Sequence, residues 1–272
     1  MKSISFGQYY PANSPLHRLD PRVKIILTIL YIVCSFLCKN IFSFALLFLS
    51  AFLLVALGKI PLRIILRGLR AVLFVLAFTA ILNIFWTSGS TLLFEWSFIK
   101  IYAEGLYAAL FIMVRISALI IGTSMLMTYT TTPIALTNAI EDLLSPLKKI
   151  HVPVHSFAMM MTIALRFIPT LTEETEKIMT AQKARGADFS SGGLIARAKA
   201  LIPVIIPLFV SAFNRAGDLA TAMECRCYHG GEGRTRMNVR KLRFVDVIPL
   251  FLIVAFGAAI IIFNIFAFGY TI

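Results

Sequence analysis

Long apolar runs, separated by short basic segments, set the pattern of this chain. Runs near 23–38, 41–57, 71–86, 105–127 and 245–268 read as membrane spans, because a helix needs roughly 20 residues to cross the hydrocarbon layer. The first is short, and only Cys38-Lys39-Asn40 separates it from the second. It is expected to start at Asp20-Pro21, since an aspartate caps the free amides of a first turn and proline fits the next position, where no amide hydrogen is needed. The chain divides accordingly into 1–130 with four spans, an insert over 131–243, and a last span within 244–272.

The insert has a different rhythm. Thr132-Pro133 reads as a cap and first turn, followed by an apolar stripe of Leu136, Ile140, Leu143, Leu144 and Leu147 opposite Thr137, Asn138, Glu141, Asp142, Ser145 and Lys148. Such an amphipathic helix suits a membrane surface or a partner's groove. A second helix is expected over about 154–184, bent at Pro169, with an apolar first half that includes Met159, Met160 and Met161 and a wet second half from Glu173 to Lys183. Methionines fill cores, and they also suit a surface that accepts several partners. Ser190-Ser191-Gly192-Gly193 breaks the chain, and a third helix runs to about Cys227 with Pro203 and Pro207 inside it. The fold class is all-α: a polytopic membrane protein with about five transmembrane helices and three long helices in the insert.

Composition agrees. Of 272 residues 59% are hydrophobic and 14% charged, with a mean hydropathy of +0.86, more apolar surface than one soluble core of this size buries. A cleavable leader is not expected, because about two dozen polar and proline-containing residues precede the first apolar run. The formal charge of +13 does not argue for nucleic acid, because lysine and arginine collect in cytoplasmic segments of membrane proteins. With a cytoplasmic amino terminus, Lys2, Arg18, Arg22, Lys24, Lys59, Arg63, Arg67, Arg70 and every base from Lys148 to Arg243 lie inside, whereas Lys39 and Lys100 lie outside. The outer connection 87–104 carries Glu95 and Glu104, with Trp86 and Trp96 expected at interfacial depth.

Candidate chemistry is sparse. Cys34 and Cys38 lie in an apolar run and read as small hydrophobes; Cys225 and Cys227, with no histidine pair beside them, fall short of a zinc set. His151 and His155 flank Pro153 in an expected loop. The glycines of Gly230-Gly231-Glu232-Gly233 lack the spacing of a phosphate loop, and no GxxxxGK[ST] string occurs. Arg115 falls in the middle of the fourth span, where a charge is costly: it marks either a polar intramembrane site or an arginine that packs the bundle together. Two short segments end two of the insert's helices, Ala184-Arg185-Gly186 and Cys225-Arg226-Cys227. Each arginine either opposes the negative end of a helix dipole or docks onto a partner, and the residues alone leave both open.

These two segments, together with the opening Leu19-Asp20-Pro21-Arg22-Val23-Lys24 and the closing Gly230-Gly231-Glu232-Gly233-Arg234-Thr235, resemble the transmembrane T component of energy-coupling factor transporters over essentially the whole chain. The resemblance implies a non-catalytic subunit of an ATP-driven importer in the prokaryotic plasma membrane, with no cofactor, no metal and no catalytic residue. It implies that the insert supplies three long cytoplasmic coupling helices, two of which end in the arginine motifs. Ala184, Arg185 and Gly186, and Cys225, Arg226 and Cys227, would dock into grooves on two ATP-binding cassette subunits, while interchangeable S components capture a vitamin or micronutrient. Gly7-Gln8-Tyr9-Tyr10-Pro11 with His17 to Asp20 resembles the variety shared among several S components. The cysteines around Arg226 depart from the family's usual Ala and Gly. The alternatives are a stand-alone secondary transporter or channel using Arg115, which inverted repeats and broken spans would support, and a membrane-embedded enzyme, which would need clustered acids or histidines on the spans.

Overall fold

Asp20 and Pro21 open a helix as their chemistry dictates: an Asp20 carboxylate oxygen accepts from the Arg22 amide at 2.9 Å, and proline takes the first helical position. The computed structural model describes residues 9–87, 91–96, 99–189, 191, 193–230 and 243–266. Of the motifs read above, Gly7-Gln8, Ser190, Gly192 and Gly231 to Thr235 lie outside the described residues, as does the end of the expected last span.

The order is α1 (Pro15–Arg18), α2 (Pro21–Leu37), α3 (Ile41–Gly58), α4 (Leu62–Trp86), β1 (Leu92–Trp96), β2 (Ile99–Tyr102), α5 (Ala103–Thr123) with a π turn at Ser124–Thr128, α6 (Pro133–Leu143), α7 (Val154–Ala184), α8 (Leu194–Cys225) and α9 (Phe244–Phe266). They fall into two compact units, Met1–Leu136 with Arg240–Ile272, and Thr137–Val239.

Three expectations change. The basic connection after α3 is helical: Arg63, Arg67 and Arg70, spaced as one helical stripe, lie on Leu62–Arg70, which meets Val72–Trp86 at a bend of 56°. The outer connection holds an antiparallel pair, with Glu95 opposite Lys100 and Trp96 opposite Ile99. Its bulky, β-favouring residues suit a pleated ribbon, and among the described residues the fold is otherwise helical. Finally, α6 stops at Leu143 rather than continuing past Lys148. Pro146 disfavours a helical Ser145 and removes an amide donor, and a 3-10 turn, Ser145–Ile150, follows.

Among the described residues five helices are long and apolar enough to cross a membrane, but they are not the five read from sequence. Ile41–Gly58, Ala103–Thr128 and Phe244–Phe266 are shared, and the bent pair in α4 makes a sixth. The other two are Val154–Ala184 and Ile195–Cys225, which the sequence reading placed in the cytoplasmic insert. The 17 residues of α2 sit at the lower limit for crossing. Even so, α2 is the most enclosed element of its unit, burying Val23, Lys24, Leu27, Thr28, Tyr31, Cys34 and Ser35.

Packing around α2 explains this. Tyr31 is 1% exposed, its hydroxyl donates to the Ala118 carbonyl at 3.3 Å, and its ring stacks on Phe256. Ala118 and Gly122, one turn apart on α5, let the two backbones approach, as small residues do between membrane helices. A Cβ on Gly122 would lie 2.2 Å from the Tyr31 ring. Lys24 is 2% exposed, and its Nζ donates to the Thr130 carbonyl at 2.8 Å and to Thr131 Oγ1 at 3.3 Å.

Gly122→Ala should therefore destabilise the detergent-solubilised protein by about 1–3 kcal/mol through overpacking, read as a fall in the thermal unfolding midpoint. Gly217→Ala, on α8 with nothing within 4 Å of the new Cβ, should be neutral or stabilising by up to about 1 kcal/mol. Equal midpoints for the two variants would contradict the tight α2–α5 approach.

Candidate functional site

Both arginine segments terminate their helices by the same hydrogen-bond scheme. In α7 the Gly186 amide donates to the Lys183 carbonyl at 2.9 Å and the Ala187 amide to the Gln182 carbonyl at 3.0 Å. In α8 the Cys227 amide donates to the Glu224 carbonyl at 2.8 Å and the Tyr228 amide to the Met223 carbonyl at 3.0 Å. These are two Schellman motifs, residue for residue. Arg185 and Arg226 are the cap residues, at φ −85° and −94°, and both side chains are exposed. The next residue is left-handed in each case, Gly186 at φ 89° and Cys227 at φ 53°. Glycine takes that conformation without penalty, whereas a Cβ raises its cost. Ala184 and Gly186 keep the first cap slim. Cys225 and Cys227, both free and exposed, flank the second.

A link between the helices stands at matched positions. Glu174 on α7 accepts from Arg215 Nη2 at 2.7 Å and from Ser211 Oγ at 2.5 Å, both on α8. Glu174 and Arg215 are 41 residues apart, the same offset that superposes Arg185 on Arg226. From this link each helix runs eleven residues to its arginine, about three turns or 16 Å, so the two arms have equal length. This ion pair was missed in the sequence reading. The signal was there, an acid and a base at the same 41-residue offset, but nothing in the sequence says that the two helices touch there.

The rest of this unit is unevenly covered. Phe209 and Phe213 pack ring on ring with centroids 4.6 Å apart, yet both are exposed, as are Ile202, Ile205 and Ile206. On α7 Phe157, Met160 and Met161 are exposed too. Beside the second cap a cavity of about 370 Å³ is lined by Met159, Ile163, Met223, Arg226 and Tyr228. Thr137 and Glu141 of α6 are buried, while Ile140 of the apolar stripe and, beyond the helix, Leu144 and Leu147 are exposed. His155 lies 3.0 Å from the Glu141 carboxylate, so Glu141 is held against α7. Amphipathic spacing identified the stripe but not the face that is covered.

Arg115 lies in the other unit. Its Nη2 donates to the Cys38 carbonyl at 2.7 Å, at the end of α2, and its guanidinium sits 5.1 Å from the Phe44 ring centroid. The cation thus meets the negative end of a helix and an aromatic face. Arg115 Nε is buried without a hydrogen-bond partner among the described residues. Of the two readings of Arg115, this geometry favours the arginine that packs the bundle together. Cys34 and Cys38 are buried thiols, and the Cys38 thiol donates to the Cys34 carbonyl.

Comparison with known proteins fits this architecture. The family model described as cobalt transport protein (CbiQ) matches residues 12–237. The energy-coupling factor transporter transmembrane protein EcfT of Ruminiclostridium cellulolyticum is 52% identical over 262 residues, covering 96% of this chain and 97% of the relative. Its namesakes in Clostridium kluyveri and Bacillus subtilis are 51% identical over 249 residues (91% of this chain, 92% of the relative) and 48% identical over 236 residues (87% and 89%). With a helical, multi-pass membrane architecture and likeness at this level along most of its length, the chain belongs to the cobalt transport protein family, among the energy-coupling factor transporter transmembrane proteins.

Proposed function

We propose that this chain is the coupling subunit of an energy-coupling factor importer, converting closure of two ATPase subunits into movement of a substrate-binding S component. One observation carries the reading: α7 and α8 end in the same Schellman motif, each presenting an exposed arginine eleven residues beyond a shared ion pair. Equal arms with like tips suit a protein that pushes on two similar partners. Arg185 and Arg226 would each enter an acidic groove, and ATP hydrolysis would belong to the partners. The exposed apolar residues of α7 and α8, more than an ordinary wet surface carries as one patch, would face the bilayer and the S component. The basic residues of the insert and the start of α4 support a cytoplasmic amino terminus in a prokaryotic plasma membrane.

If each guanidinium is desolvated against carboxylates, removing it costs about 2–5 kcal/mol of docking, and reversing its charge adds repulsion. Arg185→Glu and Arg226→Glu should each cripple uptake by reconstituted transporter, and the double variant should release the ATPase subunits on purification. Arg197→Glu, in the first turn of α8 and away from the caps, should do much less. Normal ATPase association and uptake in both cap variants would leave the arginines as ordinary dipole caps.

The second cap carries a residue in a conformation that glycine tolerates better. Cys227→Gly should stabilise the end of α8 by about 1 kcal/mol, measured as greater amide protection over Leu219 to Cys227, while retaining transport.

Orientation is tested by thiol labelling in a variant without native cysteines. A cysteine at Thr91 should react from outside and one at Ser191 from inside. The reverse pattern would invert the proposed topology.

A further inference from the structure

The unit formed by α2, α3 and α9 contains a cleft of about 640 Å³, within the roughly 300–1,000 Å³ of ordinary ligand sites. Its walls are mainly leucines and isoleucines of the three helices with Tyr31 and Phe256, joined by Leu126 of the π turn, and Asn13, Ser14 and Ser50 add polar groups. Its mouth has a different chemistry. Arg18, just before α2, and Lys59, the cap of α3, both line it, and among the described residues no acidic side chain does. Both cations lie where α2 begins, α3 ends and α9 begins, which is one end of the helical bundle.

The dimensions suit an acyl chain. Between Val245 and Phe256, both lining residues, α9 rises about 16 Å; between Lys59 and Ser50 α3 rises about 14 Å. Each is close to half of the roughly 30 Å hydrocarbon layer, the depth of a single leaflet. Spread over about 16 Å, the 640 Å³ corresponds to a mean cross-section of about 40 Å². An acyl chain is thin enough.

We propose that this cleft is a binding site for one anionic phospholipid, with an acyl chain between α3 and α9 and the headgroup phosphate between Arg18 and Lys59. Charge complementarity fixes the headgroup class: two cations without a facing acid favour an anionic lipid over a zwitterionic one, and two such contacts correspond to roughly thirty-fold in affinity at low salt. The lipid would hold together three helices that otherwise leave an apolar groove between them. This site is separate from the arginine caps and does not depend on their proposed role.

The test is native mass spectrometry of the full chain in detergent, titrated with phosphatidylglycerol and phosphatidylcholine of matched chains. One phosphatidylglycerol should be retained, preferred by about thirty-fold. Arg18→Gln with Lys59→Gln should bring that preference to within about three-fold while leaving chain binding. Leu53→Trp, which fills the groove, should weaken both lipids about ten-fold or more with helicity unchanged, and Leu57→Trp supplies a second filled groove if the first variant does not fold. Absence of a stoichiometric lipid, an unchanged headgroup preference without the two cations, or unchanged binding in the filled variants would each overturn the site. So would a photocrosslinker at Leu57 that captures a protein subunit instead of lipid in the assembled transporter.

Discussion

Helix ends in hydrocarbon must find partners for backbone groups that water would otherwise satisfy, and the larger unit of this protein is organised around that requirement. Both ends of α2 are tied by side chains from other helices. At its start Asp246 on α9 accepts from the Asp20 amide at 3.1 Å and reaches back to its own helix's Arg243 amide at 2.9 Å. At its finish Arg115 and Asn264 donate to the carbonyls of Cys38 and Leu37, at 2.7 and 2.6 Å. Asn40 returns the favour to α9 by donating to the Phe263 carbonyl at 3.2 Å. Polar residues that hydropathy would treat as interruptions are the groups that join the helices, because apolar side chains gain little by leaving lipid for one another. Removing Asp246 would strand the buried Asp20 amide, which costs more than the bond itself contributes.

The smaller unit is built on a different balance. α7 and α8 share a charged link at Glu174, Ser211 and Arg215, and otherwise leave much of their apolar surface exposed. That arrangement is poorly suited to an isolated globular body and well suited to a bilayer or to partners that cover it. The caps add local rigidity: each Schellman motif satisfies two carbonyls that would otherwise fray, so the arginine backbone is held at a defined point beyond the link. In the coupling role proposed above, stiff arms of equal length would transmit a push better than frayed ends.

Much of this was legible in the chain because it depends on neighbours in sequence. The Asp20-Pro21 start, the Thr132 hydroxyl accepting from the Ala135 amide, and the limits of α7 and α8 follow from capping chemistry and from glycine and proline as breaks. Prolines at 169, 203 and 207 sit inside helices, where a breaker read alone would have misled and the long apolar periodicity prevailed. The early start of α4 and the β1–β2 hairpin escaped the reading. A basic stripe reads equally well as a loop, and short aromatic segments have no period long enough to tell strand from coil.

The sequence by itself determined the membrane class, the start of α2, the limits of α7 and α8 and the two matched arginine segments, since each is set by composition or by residues within a turn of one another. Only the tertiary structure decided which face of α6 is covered, that the 17-residue α2 is the enclosed helix, that Arg115 caps α2, and that Glu174 meets Arg215. These are contacts between residues 14 to 226 positions apart. Local chemistry specifies which groups need a partner, but which distant group satisfies that need depends on how the helices pack.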